Sequence, residues 1–161
     1  MPDGTDRRDE LQNRAASVAV TPAGAGTDIN AMAIDEAFIS RLVETFYKRA
    51  LAHPELGPLF DAKLSGRWSE HMEKMKSFWS AVAFRNGAYE GKPVQAHLGV
   101  ANMTPQLFSN WLELFAATLS DIAPNKDVET WFMTTAERIA RSLALSLFYN
   151  PALDDPKYNN Q

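Results

Sequence analysis

Apolar side chains return every three or four residues along four long stretches of this chain, and prolines or capping residues punctuate the ends. That spacing is the period of an α-helix with one face turned to a core. No stretch alternates polar and apolar residues long enough to argue for a strand. The expected fold class is all-α, with four substantial helices and some short ones. Asp35 is placed to cap the first, whose stripe is Phe38, Ile39, Leu42, Val43 and Phe46; Ile34 and Ile39 form a hydrophobic staple, and His53-Pro54 ends it. A turn from Glu55 to Phe60 leads into a loop from Asp61 to Gly66. Ser65 is then expected to cap a long helix reaching about Phe84, with Trp68, Met72, Met75, Phe78, Trp79 and Val82 on its stripe. Two glycines between Arg85 and Lys92 make a connector, followed by a single helical turn from Pro93 to Leu98. Thr104-Pro105, an expected side-chain cap followed by proline at the first helical position, opens a helix carrying Leu107, Phe108, Trp111, Leu112, Phe115, Leu119 and Ile122 on one face. Asp127 is expected to cap the last helix, with Val128, Trp131, Phe132, Thr135, Ile139, Leu143 and Leu147 in register, and Pro151 stops it.

Composition narrows the chemistry. At 161 residues the chain is long enough for one domain with a real core. It has no cysteine, which excludes disulfides, thiolate nucleophiles, Fe–S clusters and thiolate-ligated haem. The net charge of −4, without any Lys/Arg-dense stretch, offers no footprint for nucleic acid. No apolar run approaches the roughly 18 residues of a membrane span, so no membrane association is expected. Residues 1–30 stand apart, with five Asp/Glu and no aromatic residue. They read as a disordered tail rather than a secretion signal, because their leading segment is acidic; a cytoplasmic protein is expected. The domain is expected over 31–150, with a second tail over 151–161.

Only three histidines are present. His53 sits among polar neighbours before Pro54 and reads as a surface residue. His71 lies on an apolar stripe, with Trp68 three residues before it and Met75 four after, so it points into the core. There it is either a hydrogen-bonded structural residue or a ligand. His97, in the one-turn element between two long helices, suits a metal-ligand position or a plain loop. Zinc is disfavoured, since no Glu-x-x-His or His-x-x-x-His pair supports either residue. Carboxylate-bridged di-metal chemistry is disfavoured by the lack of inward acidic residues. Haem suits the inventory better: it needs one strong imidazole and a flat apolar cleft rich in aromatics, and the chain has nine Phe, four Trp and six Met.

From about Ile34 to Tyr149 the chain resembles the truncated haemoglobins, and more closely their third group. The matching stretches are Phe46-Tyr47, Leu56-Gly57-Pro58-Leu59-Phe60, Trp68 to Met75, Phe78-Trp79, Tyr89-x-Gly91-x-Pro93-x-x-x-His97-Leu98, and Phe108-x-x-Trp111-Leu112-x-Leu114-Phe115. The groups with glycine pairs flanking the distal helix are less similar, because no Gly-Gly occurs. The resemblance implies a 2-on-2 helical sandwich with a reduced first helix and a proximal helix shortened to a turn.

It also implies roles. His97 matches the proximal ligand of a pentacoordinate haem b iron, and Phe60 the phenylalanine that packs on the macrocycle. Tyr47, His71 and Trp111 match the polar distal residues, and Lys74 a partner for a propionate. Met75, Phe78 and Leu98 complete the expected cofactor contacts. Taken singly, Tyr47 is equally an edge-of-core tyrosine, Trp111 a core anchor and Lys74 a solvated charge. The function implied is binding of oxygen and other small ligands: carbon monoxide, nitric oxide and cyanide. The alternative is a redox enzyme, peroxidase-like or removing nitric oxide or peroxynitrite. Such an enzyme needs a separate reductase, because no flavin or nicotinamide fingerprint is present. A cofactor-free helical interaction module is the third reading. A sensor would lack an output domain. A monomer or weak dimer is expected.

Overall fold

The computed structural model describes residues 34–87 and 89–148, and the expected tails over 1–30 and 151–161 lie outside them. Among the described residues six helices follow one another: α1 (Glu36–Ala52), α2 (Leu56–Leu64), α3 (Trp68–Phe84), α4 (Pro93–Leu98), α5 (Pro105–Ile122) and α6 (Lys126–Phe148). No strand occurs among the described residues, so the all-α expectation holds. Asp35 caps α1 as its position predicts: the Phe38 N–H donates to Asp35 Oδ1 at 2.9 Å. Ile34 packs against the core cluster that contains Ile39.

Three local expectations need correction. Ser65 does not cap α3. The helix that begins at Leu56 continues through the expected loop to Leu64, Ser65 follows its last turn, and α3 starts at Trp68 behind Arg67, whose side chain makes no capping bond. Pro58 does not prevent this, because in a first turn its missing N–H would be unpaired anyway. At the start of α6 the cap is Asn125, which accepts the Val128 N–H at 3.0 Å. Asp127 sits inside the first turn, where its carboxylate still suits the helix dipole. Thr104 occupies the cap position of α5 with extended backbone, but its hydroxyl makes no capping bond.

The core gathers where α1 crosses the rest. Phe38, Ile39, Leu42, Val43 and Phe46 of α1 meet Phe115 and Leu119 of α5 and Val128 and Phe132 of α6, all buried. α1 packs on α2, α3 and α5, α5 packs on α6, and α4 packs on α6. α3 thus leans chiefly on α1, and the space it leaves toward α5 and α6 is a cavity. Gly57 lets α2 turn back tightly on α1, because a Cβ there would run into the Leu51 carbonyl oxygen.

Candidate functional site

The cavity has a volume of about 820 Å³, and its wall is mostly apolar. Every helix contributes: Tyr47 from α1, Phe60 from α2, His71, Lys74, Met75 and Phe78 from α3, His97 from α4, Trp111 from α5 and Ile139 from α6. The spacing of α3 explains its share. His71, Met75 and Phe78 follow at four and three residues, so one face of a continuous helix presents all three. Eight of the nine residues expected at the site therefore converge on one space. Leu98 does not: it is turned outward, 62% exposed, and is no part of the wall. On a single helical turn the residue after His97 points about 100° away, which removes it from the cavity.

His97 stands near Phe108, the rings stacked at 26° with centroids 5.9 Å apart. Its Nδ1 lies 2.6 Å from the Pro93 carbonyl oxygen. A carbonyl only accepts, so Nδ1 donates its proton there, and Nε2 is the ring nitrogen left for a metal. Holding one ring nitrogen on a backbone carbonyl is how proteins orient an imidazole whose other nitrogen binds metal. The acceptor is Pro93, four residues back in the same turn, so the short helix α4 itself sets the ring.

Aromatic rings and a second imidazole fill the side of the cavity formed by α1, α2 and α3. Tyr47 is 7% exposed and meets His71 edge to face at 4.9 Å and Phe60 at 5.5 Å. Burial pushes the Tyr47 phenol up, so it holds its proton. Burial pushes His71 the other way, down to about 4, helped by the Lys74 ammonium and by His97. Its ring is therefore neutral near pH 7, and its Nε2 is fully buried with no hydrogen-bond partner. A buried polar atom left unpaired costs free energy and calls for a partner in the occupied site. Trp111 closes the α5 wall, stacked on Phe115 at 4.8 Å and tilted against Phe46 at 5.0 Å.

Lys74 is at the rim and 63% exposed, ion-paired with Glu70 at 3.2 Å one turn back. An exposed pair of that kind is weak and exchangeable. Other cations share the rim: Lys63, Arg67 and Lys92. Lys63 also donates from Nζ to the Gly99 carbonyl at 3.1 Å, tying α2 to the loop behind His97. Sequence reasoning left several wall residues unassigned. Phe108, Leu107, Ile139 and Leu143 were legible as helical stripes but not as cavity rather than core. Tyr89, which meets Phe78 edge to face at 5.1 Å, stands in the connector where periodicity says nothing.

Among the described residues no group of three or more His, Asp or Glu could hold a bare metal ion. One imidazole nitrogen in an apolar cleft instead suits an iron that brings its equatorial nitrogens with it, and the unpaired His71 Nε2 gives such a cleft a polar opposite wall. The residues fit haem. No helix among the described residues is long and apolar enough to cross a membrane.

Comparison with known proteins agrees. Over 110 residues the chain is 30% identical to a group 3 truncated haemoglobin of Campylobacter jejuni, covering 66% of this chain and 86% of that protein. A crystal structure of a group III truncated haemoglobin from Campylobacter jejuni superposes with a TM-score of 0.67 at 28% identity, over 71% of this chain and 92% of the other. No family model matches the chain.

Proposed function

Because the chain belongs to the group 3 truncated haemoglobins, and so is a globin-type haem protein with the truncated-globin fold, we propose that it binds oxygen and other diatomic ligands reversibly at a haem b held by His97. The observation that carries this reading is the His97 ring. Its Nδ1–H is committed to the Pro93 carbonyl while the ring itself lines a cavity that also holds a buried, unpaired His71 nitrogen. Haem, when bound there, would supply an iron that takes up small gases. The protein's own part is to place donors, exclude water and anchor the porphyrin. Tyr47 keeps its phenolic proton and can donate it; Trp111 can only donate, through its indole N–H; neutral His71 can donate or accept. Phe60, Met75 and Phe78 supply apolar area against the macrocycle. Lys74, released from Glu70, would pair with a propionate, and Arg67 is a second rim cation for that task.

An absorption series tests the reading. Reconstituted protein is expected to show a Soret band that shifts under carbon monoxide, and His97→Ala to retain little haem. Wild-type protein that stays colourless after reconstitution overturns it.

A further inference from the structure

Three of the chain's four tryptophans stand along one line of packed rings. Trp111, on the cavity wall, is stacked on Phe115 at 4.8 Å with planes 18° apart. Phe115 is stacked on Trp79 at 5.1 Å and 16°. Trp79, which also reaches the cavity wall, meets Phe132 at 5.5 Å, and Phe132 meets Trp131 edge to face at 5.0 Å. Phe115 and Phe132 are wholly buried, so the middle of the line is sealed from water. Trp131 is only half-buried and opens on the surface of α6.

Packing alone asks for bulky apolar side chains here, and the two phenylalanines meet that need. It does not ask for indole at every second ring. Indole gives up an electron far more readily than a phenyl ring does, and electron transfer weakens steeply with distance. A single intervening ring keeps each step from indole to indole short.

We infer that Trp111, Trp79 and Trp131 form an electron relay, through which a phenolic reductant at the surface of α6 supplies electrons to the haem cavity for the reduction of hydrogen peroxide. The inference rests on the haem reading above and extends it to donors that give up their electrons at the surface without entering the cavity. Peroxide takes up two electrons and two protons, its O–O bond breaks, and two waters leave. The electrons arrive singly. Each one lost from Trp111 or Trp79 to the oxidised haem site is replaced from Trp131, and Trp131 recovers its own from a phenol. The phenol loses a proton to water at the same time and departs as a phenoxyl radical. Two phenols are consumed per peroxide, and the protons reach the cavity through solvent.

The test uses the haem-loaded full chain. Treated with hydrogen peroxide and no reductant, wild type is expected to gain oxygen at Trp131, located by peptide mass spectrometry, and added guaiacol is expected to protect that residue. Trp79→Phe should lose the Trp131 modification and bleach its haem faster. Trp131→Phe should slow guaiacol oxidation while leaving the carbon monoxide Soret shift unchanged. Because Trp79 is buried, freeze-quenched wild type is also measured by electron paramagnetic resonance, where a tryptophan radical signal altered by Trp131→Phe is expected. Trp131 left unmodified in wild type, or modified equally in Trp79→Phe or in haem-free chain, overturns the relay. Absence of any Soret band before peroxide is added overturns instead the haem reading beneath it.

Discussion

Tyr47, Trp111 and His71 bring different polar atoms to one apolar cavity, and their protonation states decide what each can do there. Tyr47 holds its proton against ionisation and Trp111 has only a donor, so under the proposed function both would donate to a ligand bound in the cavity. If each bond is worth about 1 kcal/mol net, Tyr47→Phe and Trp111→Phe should each speed oxygen dissociation by roughly 5-fold, read by stopped flow. Unchanged rates in both would show that neither residue donates to the ligand. His71 answers to pH instead. Its folded-state value is depressed from 6.5 to about 4, so between those limits the unfolded chain binds a proton that the folded chain refuses. Stability therefore falls as pH drops from about 6.5 toward 4, and is fully present above that window. In haem-free protein, the difference between wild type and His71→Leu in denaturant titrations should grow along that slope; parallel curves would place the His71 ring in water.

At the scale of the elements, the α1–α2 corner shows how a loop residue can carry a structural task that pattern reading misses. His53 is a polar residue before a proline and reads as surface. Yet its Nδ1 accepts the N–H groups of both Glu55 and Leu56 at 3.2 Å, doing for α2 what Asp35 does for α1. Sequence made Asp35 legible because Asp is a common cap standing just before an apolar stripe; an imidazole in that role carries no such signal. Helix starts at Ser65 and Asp127 were misplaced for a related reason. Near α6 both Asn125 and Asp127 are good capping residues and the realised backbone selects Asn125, whereas α3 starts behind Arg67 with no side-chain cap at all. Replacing His53 by Ala should lower stability by about 1 kcal/mol, the size of a lost cap, and His53→Asn should recover most of it. Gly57→Ala should cost more than His53→Ala in the same denaturant series, because the added methyl group meets the rigid Leu51 carbonyl rather than a movable side chain. A neutral Gly57→Ala would mean that α1 and α2 can part at this corner without loss.

Across the whole molecule, most of the wall is legible in the sequence and the cavity it encloses is not. The residues at helical spacing on α3, α5 and α6 announce an apolar interior, and the resemblance of Tyr47, His71, His97 and Trp111 to a known pattern marks which of them face one another. Periodicity cannot distinguish a stripe that meets another stripe from one that meets a void, so Ile139 and Leu143 look the same as Phe132, which is buried at 0% exposure. The difference lies in how the helices stand. α1 joins α2, α3 and α5 directly, whereas α3 leans chiefly on α1 and α4 chiefly on α6, with about 820 Å³ between their inner faces. A porphyrin held there would touch both groups of helices and complete contacts that the side chains leave open. Binding the folded state alone stabilises it by about 4 kcal/mol at a thousandfold excess over Kd, which for a chain of this length corresponds to a rise in Tm of about 10 °C. The gain should be uneven. Hydrogen exchange on loading with haem should slow most in α3 and α4, while the α1 and α5 segments around Phe46 and Phe115, already closed on one another at 5.7 Å, change least. Uniform protection across all helices would mean that α3 and α4 are no looser than the core without the cofactor.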